Sequence, residues 1–127
     1  MSSTSTQHSA SLTSQGMDLL ASGYAAKAAD AFRAALAADA TNHEAHHGLV
    51  RALRDAGQIE QSVGAALALT ALTPDDPLAH TALSISLQHG GHVPEAEAAA
   101  ARARVLEWKI QLQSPPESES PDSEPPR

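Results

Sequence analysis

Three times along the chain an apolar helical stretch ends in a glycine, and a second, alanine-rich helical stretch and a polar break follow. The glycines are Gly23, Gly57 and Gly91, thirty-four residues apart. A helix that must stop and reverse commonly needs a residue in the left-handed conformation, which glycine adopts without a Cβ penalty. The pattern predicts three helix–turn–helix units, 9–42, 43–76 and 77–110. In the first, helix A is expected from about Leu12 to Ser22 and helix B from about Ala25 to Ala38. Thr41 with Glu44 three residues on reads as a capping box opening the next unit. Asp76 before Pro77 reads as an N-cap followed by Pro at the first helical position, and Val93-Pro94-Glu95 repeats that device for the last helix.

Within this frame the first unit carries Gly16, Leu19, Gly23, Tyr24, Ala28, Phe32, Ala35 and Leu36 at the small, large and aromatic positions of one pattern. The second keeps Leu49, Leu53, Gly57 and Pro74, with Ser62 for the usual Ala and Ala66 for the aromatic. The third keeps Leu83, Leu87, Gly91, Ala96 and Ala103, with Ala100 at the aromatic position and Trp108 where a closing Pro is expected. The period and signature resemble the tetratricopeptide repeat, one helical hairpin per 34 residues. The resemblance implies an all-α fold, a short right-handed α-solenoid of three stacked hairpins, and a non-catalytic protein-interaction module.

Composition fits that architecture. Twenty-seven of the 127 residues are Ala, and Phe, Tyr and Trp occur once each. Ala loses no side-chain entropy in a helix, and a core of Ala and Leu requires close helix approach. A domain over 12–113 is expected, flanked by a disordered Ser/Thr-rich segment 1–11 and a disordered tail 114–127. The tail sets Glu117, Glu119, Asp122 and Glu124 against Arg127 among five prolines and several serines, a composition that cannot bury a core. With no Cys, disulfides and thiolate metal sites are unavailable. The first fifteen residues lack a basic region leading into an apolar run, and no stretch approaches the roughly 20 apolar residues of a membrane span. The expectation is a soluble, cytoplasmic protein. Its net charge of −7 argues against nucleic-acid binding, which depends on cationic neutralisation of phosphates.

In proteins of this family the second, fifth, ninth, twelfth and thirteenth positions of each helix A face a concave groove. Mapped onto this chain, the resemblance implies a groove that is apolar at its two ends, with Met17 and Leu20 in unit one and Ile85 in unit three, beside Gln88. Its middle would be basic, from His47, Arg51 and Arg54, which share one helical face. Arginine forks bind carboxylates bidentately, so an acidic or C-terminal peptide is a suitable ligand. An ordinary solvated face with an Arg–Asp55 pair is the bland alternative. The Lys and Asn clamp that some family members use for a terminal carboxylate is missing, since Thr13, Met17 and Gly48 stand at its places. The acidic tail is a further candidate occupant of the basic patch.

The last helix has no breaker from Pro94 to Gln113 and runs past the third unit. Either it covers the array's end itself, with Leu106 and Ile110 turned inward, or the end stays open and a face around Leu106, Trp108 and Ile110 meets a partner or a second copy. Self-association there is the competing function. The histidines imply no metal: His43 and His47 supply two nitrogens across one turn where a zinc site wants at least three ligands. His46 and His80, at equivalent positions, read as large residues within the A-helix packing. No nucleophile elbow, phosphate loop or oriented Ser–His pair is present, so neither catalysis nor a cofactor is expected.

Overall fold

A computed structural model describes residues 2–113, which form six helices: α1 (Ser2–Ala21), α2 (Ala25–Ala38), α3 (His43–Asp55), α4 (Ile59–Leu72), α5 (Pro77–His89) and α6 (Val93–Gln113). No strand occurs among the described residues. Consecutive helices pack as hairpins, and α3 also touches α1 and α5, so α1, α3 and α5 line one side of a short solenoid. No helix among the described residues is long and apolar enough to cross a membrane.

The hairpin turn is built the same way three times. Gly23, Gly57 and Gly91 have φ of 89°, 80° and 79°. The residue after each donates its amide back to a leucine carbonyl five residues earlier: Tyr24 to Leu19, Gln58 to Leu53 and His92 to Leu87, each at 2.9 Å. This Schellman geometry satisfies carbonyls left over at the helix end and demands the left-handed glycine.

The turns between units use side chains instead. Asn42, not Thr41, caps α3: its Oδ1 accepts the Ala45 amide at 3.0 Å. The expected box of Thr41 and Glu44 does not form, because Thr41 gives both its amide and its hydroxyl to Asp39 Oδ1 in a tight local turn. Asp76 caps α5 as expected, accepting from Leu78, with Pro77 in the first turn. His46 and His80 are half-buried rather than core residues. Each hydrogen-bonds through Nε2, at 2.8 Å, to a loop carbonyl six residues back, Ala40 and Pro74 respectively.

The first helix overturns the expected boundary. Residues 2–11, assigned to a disordered segment, continue α1 upstream of Leu12. Ser9 is fully buried and donates to the Ala35 carbonyl at 2.7 Å. Asn42 Nδ2 donates to both Ser9 Oγ and Thr13 Oγ1. These polar contacts hold the helix to its neighbours where its sequence offers few apolar residues. The tail 114–127 lies outside the described residues.

The core forms two clusters. One centres on Phe32 and includes Ala28, Ala35, Ala45 and Leu53; the other joins Val50, Val63, Ala66, Leu83 and Ala99. Phe32 is wedged between helices that only glycine allows so close. A Cβ at Gly16 or Gly48 would lie 2.7 or 2.4 Å from its ring. In the second unit, where Ala66 stands for the aromatic, the space is closed by direct helix contact and buried serine hydroxyls. Ser62 Oγ donates to the Val50 carbonyl at 2.9 Å. In the third, the donor changes helix: Ser84, at Val50's repeat position, donates to the carbonyl of Ala96, at Ser62's position.

Among the described residues, the 21-residue α6 packs only against α5. Leu106 is 3% exposed and belongs to the core, which removes it from the candidate partner face. Trp108 is 61% exposed. Two residues along a helix turn through about 200°, so Leu106 and Trp108 must point to opposite sides, and the three-residue face expected from sequence does not exist as one surface. Ile110, half exposed, lines a hollow of about 270 Å³ with Leu106, Lys109 and Asp75. The outward stripe is instead Val105, Trp108 and Leu112, all exposed.

Candidate groove on the inner helices

The concave side carries three contiguous depressions. One of about 310 Å³ lies between α3 and α5 and is lined by His47, Arg51, Arg54, Leu78 and Ile85, among others. A second, of about 170 Å³, lies between α1 and α3 and holds Met17, Leu20, Glu44, His47 and Arg51. The two share His47 and Arg51. A third and larger one, about 560 Å³, extends toward the start of α1 and shares Met17 and Glu44 with the second. Six of the seven groove residues named from sequence, from three separate helices, thus lie along one continuous furrow.

Gln88 does not join them. It lines a separate hollow of about 210 Å³ with Ser84, Val93 and Glu97, on the α6 side. Arg54 at the equivalent repeat position borders the groove because α5 follows it. After α5 there is no further inner helix among the described residues, so the same position opens onto α6.

Charge in the furrow is only lightly compensated. Arg51 Nε lies 3.8 Å from Asp55 in an exposed i,i+4 pair, a contact of little strength. Arg54 has no ion-pair partner among the described residues. Burial in the groove floor holds His47 below its ordinary pKa of 6.5, helped by the charges of His43 and His46 and opposed by Asp76. The imidazole is therefore neutral near pH 7 and can turn cationic if an anion settles beside it. Asp39 is held below the ordinary carboxylate range by the hydroxyl and amide of Thr41.

The third depression brings in residues that position counting missed. Asp18 and Asp39 line it together with Glu44. Asp18 is the tenth residue of its unit and Asp39 belongs to a loop, so neither occupies a groove position by register. No sequence signal marks them, because α1's last turn and the α2–α3 loop meet the start of α3 only through packing between units.

Comparison with known proteins bears on this architecture. Residues 19–85, a little over half of the chain, match the family model described as Tetratricopeptide repeat. No curated protein is significantly similar to the chain in sequence. Among solved structures, the Yersinia enterocolitica type III secretion chaperone SycD, in complex with a peptide of the translocator YopD, superposes with a TM-score of 0.71 at 20% identity. That match covers 84% of this chain and 78% of that one. The second TPR of Spaghetti (RPAP3), bound to the HSP90 peptide SRMEEVD, gives 0.73 at 17% identity over 80% of this chain and 94% of that one. MamA gives 0.77 at 18% identity, over 85% of this chain and 63% of that one. At such identities these likenesses bear on the fold alone. The chain belongs to the tetratricopeptide repeat family.

Proposed function

We propose that this protein is a non-catalytic interaction module that docks a peptide or helix of a partner protein along its concave groove. The observation that carries the reading is the convergence of Met17, Leu20, His47, Arg51, Arg54 and Ile85 on one furrow. Apolar side chains there offer area to bury, and two arginine forks, one of them without an ion-pair partner among the described residues, offer charge-assisted bonds to carboxylates. The fold neighbours solved with a bound peptide support the same mode of use. The partner is a protein with an accessible segment, and no residue of the furrow is assigned a catalytic role.

Affinity capture with tagged wild type beside Arg51→Glu/Arg54→Glu tests it, with circular dichroism establishing equal helicity first. A protein retained by wild type and lost by the variant supports groove docking. Retention indifferent to both arginines sinks it.

A second reading is favoured by the α6 surface. Val105, Trp108 and Leu112 form an exposed apolar stripe at i, i+3 and i+7. Self-association through this stripe predicts a mass that rises with protein concentration and returns to the monomer in Trp108→Glu.

A further inference from the structure

We propose that the groove is polarised along its length, and that its partner segment keeps its cationic and carboxylate groups at opposite ends of an apolar centre. The inference rests on the docking role proposed above and specifies the chemistry of the occupant.

At the unit-one end, the charged side chains lining the furrow are Asp18, Asp39 and Glu44, all carboxylates. At the other end they are Arg51 and Arg54, with His47 beside them. Between lie Met17 and Leu20, and Leu78 and Ile85 continue the apolar floor toward α5. Glu44 also borders the middle depression with His47 and Arg51, so the charge grades along the groove from Asp18 and Asp39 at one extreme to Arg54 at the other.

Their local roles do not account for this arrangement. Glu44 lies in the first turn of α3 and Arg54 in its last, where each complements the helix dipole. Asp18 is different. It occupies the last turn of α1, where the dipole disfavours a negative charge, and α1 has no basic residue in that turn. Asp18 and Glu44 have no ion-pair partner among the described residues. Asp39 uses one oxygen, Oδ1, for both Thr41 bonds, so the turn consumes only part of its accepting capacity. An uncompensated carboxylate set against its own helix end, beside two others, suits a cation arriving from outside.

Spacing sets the length of the occupant. Packed helix axes lie about 8–10 Å apart, so α1 to α5 spans roughly 20 Å, or about six residues of extended chain. A segment slightly longer than this puts a lysine or arginine at the Asp18 end and a glutamate or aspartate at the Arg54 end.

The test uses the full-length protein and three labelled nine-residue peptides with the same two central leucines. One has two lysines at one end and two glutamates at the other; one has the same residues with charges alternating; one has glutamates at both ends. Anisotropy titrations at low salt should show the segregated peptide binding about fivefold tighter than the other two, as a few exposed charge pairs allow. Asp18→Lys/Glu44→Lys, first shown to melt like wild type, should reverse the order in favour of the all-acidic peptide. Equal binding of the alternating peptide, or an order unchanged by the reversal, overturns the polarity. All-acidic binding as tight as the segregated peptide, yet lost in Arg51→Glu/Arg54→Glu, leaves docking in place and removes only the polarity. Indifference of every peptide to both charge reversals removes both.

Discussion

The hydroxyls of Ser62 and Ser86 meet at 2.7 Å in a place that solvent does not reach, joining the second unit's outer helix to the third unit's inner one. Ser62 gives its only proton to the Val50 carbonyl, so Ser86 must be the donor between the two. Ser62→Ala strands a buried donor, whereas Ser86→Ala leaves Ser62 bonded to Val50. Urea unfolding should show Ser62→Ala costing about 1–3 kcal/mol, Ser86→Ala less, and the double variant recovering part of the Ser62→Ala loss. A larger cost for Ser86→Ala would contradict this assignment of donor and acceptor.

Two helical glycines should respond in opposite ways to alanine. At Gly48 the new methyl meets the Phe32 ring, which is fully buried and has nowhere to move. Overpacking of about 1–3 kcal/mol then outweighs the helix-propensity gain of up to ~1 kcal/mol. At Gly64, in α4, nothing lies within 4 Å of the added carbon, so Gly64→Ala should raise stability by about 0.5–1 kcal/mol. Thermal melts of both variants, read against Gly48→Ala/Phe32→Leu, check the mechanism: the smaller side chain should restore part of the loss.

Gly57→Val isolates backbone strain. An added Cβ there touches nothing, but φ is 80°. The left-handed conformation costs an L-residue about 1–2 kcal/mol, more for a β-branched one. Gly57→Asn should cost less than Gly57→Val in the same melts, since asparagine tolerates this region. Equal melting of all three proteins would show that the turn does not depend on glycine.

The depressed His47 pKa gives a signed pH effect. The unfolded chain binds a proton at the ordinary 6.5 while the folded imidazole resists it, so this contribution to stability is fully present above 6.5 and is lost as pH falls below it. A carboxylate docked beside His47 reverses the preference and draws a proton in. Facing it are His43, His46, Glu44 and Arg51 on α3, Met17 and Leu20 on α1, and Asp76 at the start of α5. Affinity for an acidic peptide should rise between pH 7 and about pH 5.5, with His47→Gln removing most of that rise. A pH profile identical in His47→Gln would assign the effect elsewhere.

What could be read in the sequence followed from how local its causes are. The glycine spacing located all three turns because a left-handed residue is required within one turn of each inner helix. Helix α2 follows its expected bounds because Ala-rich propensity and the turn both point to them. The start of α1 was not legible, since a Ser/Thr-rich run reads as weakly helical and its support comes from distant partners, Ala35 and Asn42. Thr41 and Asn42 are both good caps, and the competition was settled by Asp39 claiming the threonine. Basic groove residues emerged from repeat positions; the acidic end did not, because Asp18 and Asp39 reach the furrow through packing between units. Trp108 and Leu106 are neighbours in sequence, but the helical period puts them on opposite sides of α6.

Site-specific photocrosslinking of the captured partner tests the central claim most directly. A photoreactive residue at Ile85 lies in the groove, while one at Leu67, 53% exposed on α4, lies outside it. The account predicts a partner adduct from Ile85, abolished by Arg51→Glu/Arg54→Glu, and none from Leu67. Adducts from Leu67 with none from Ile85 would place the binding face elsewhere on the solenoid and contradict groove docking.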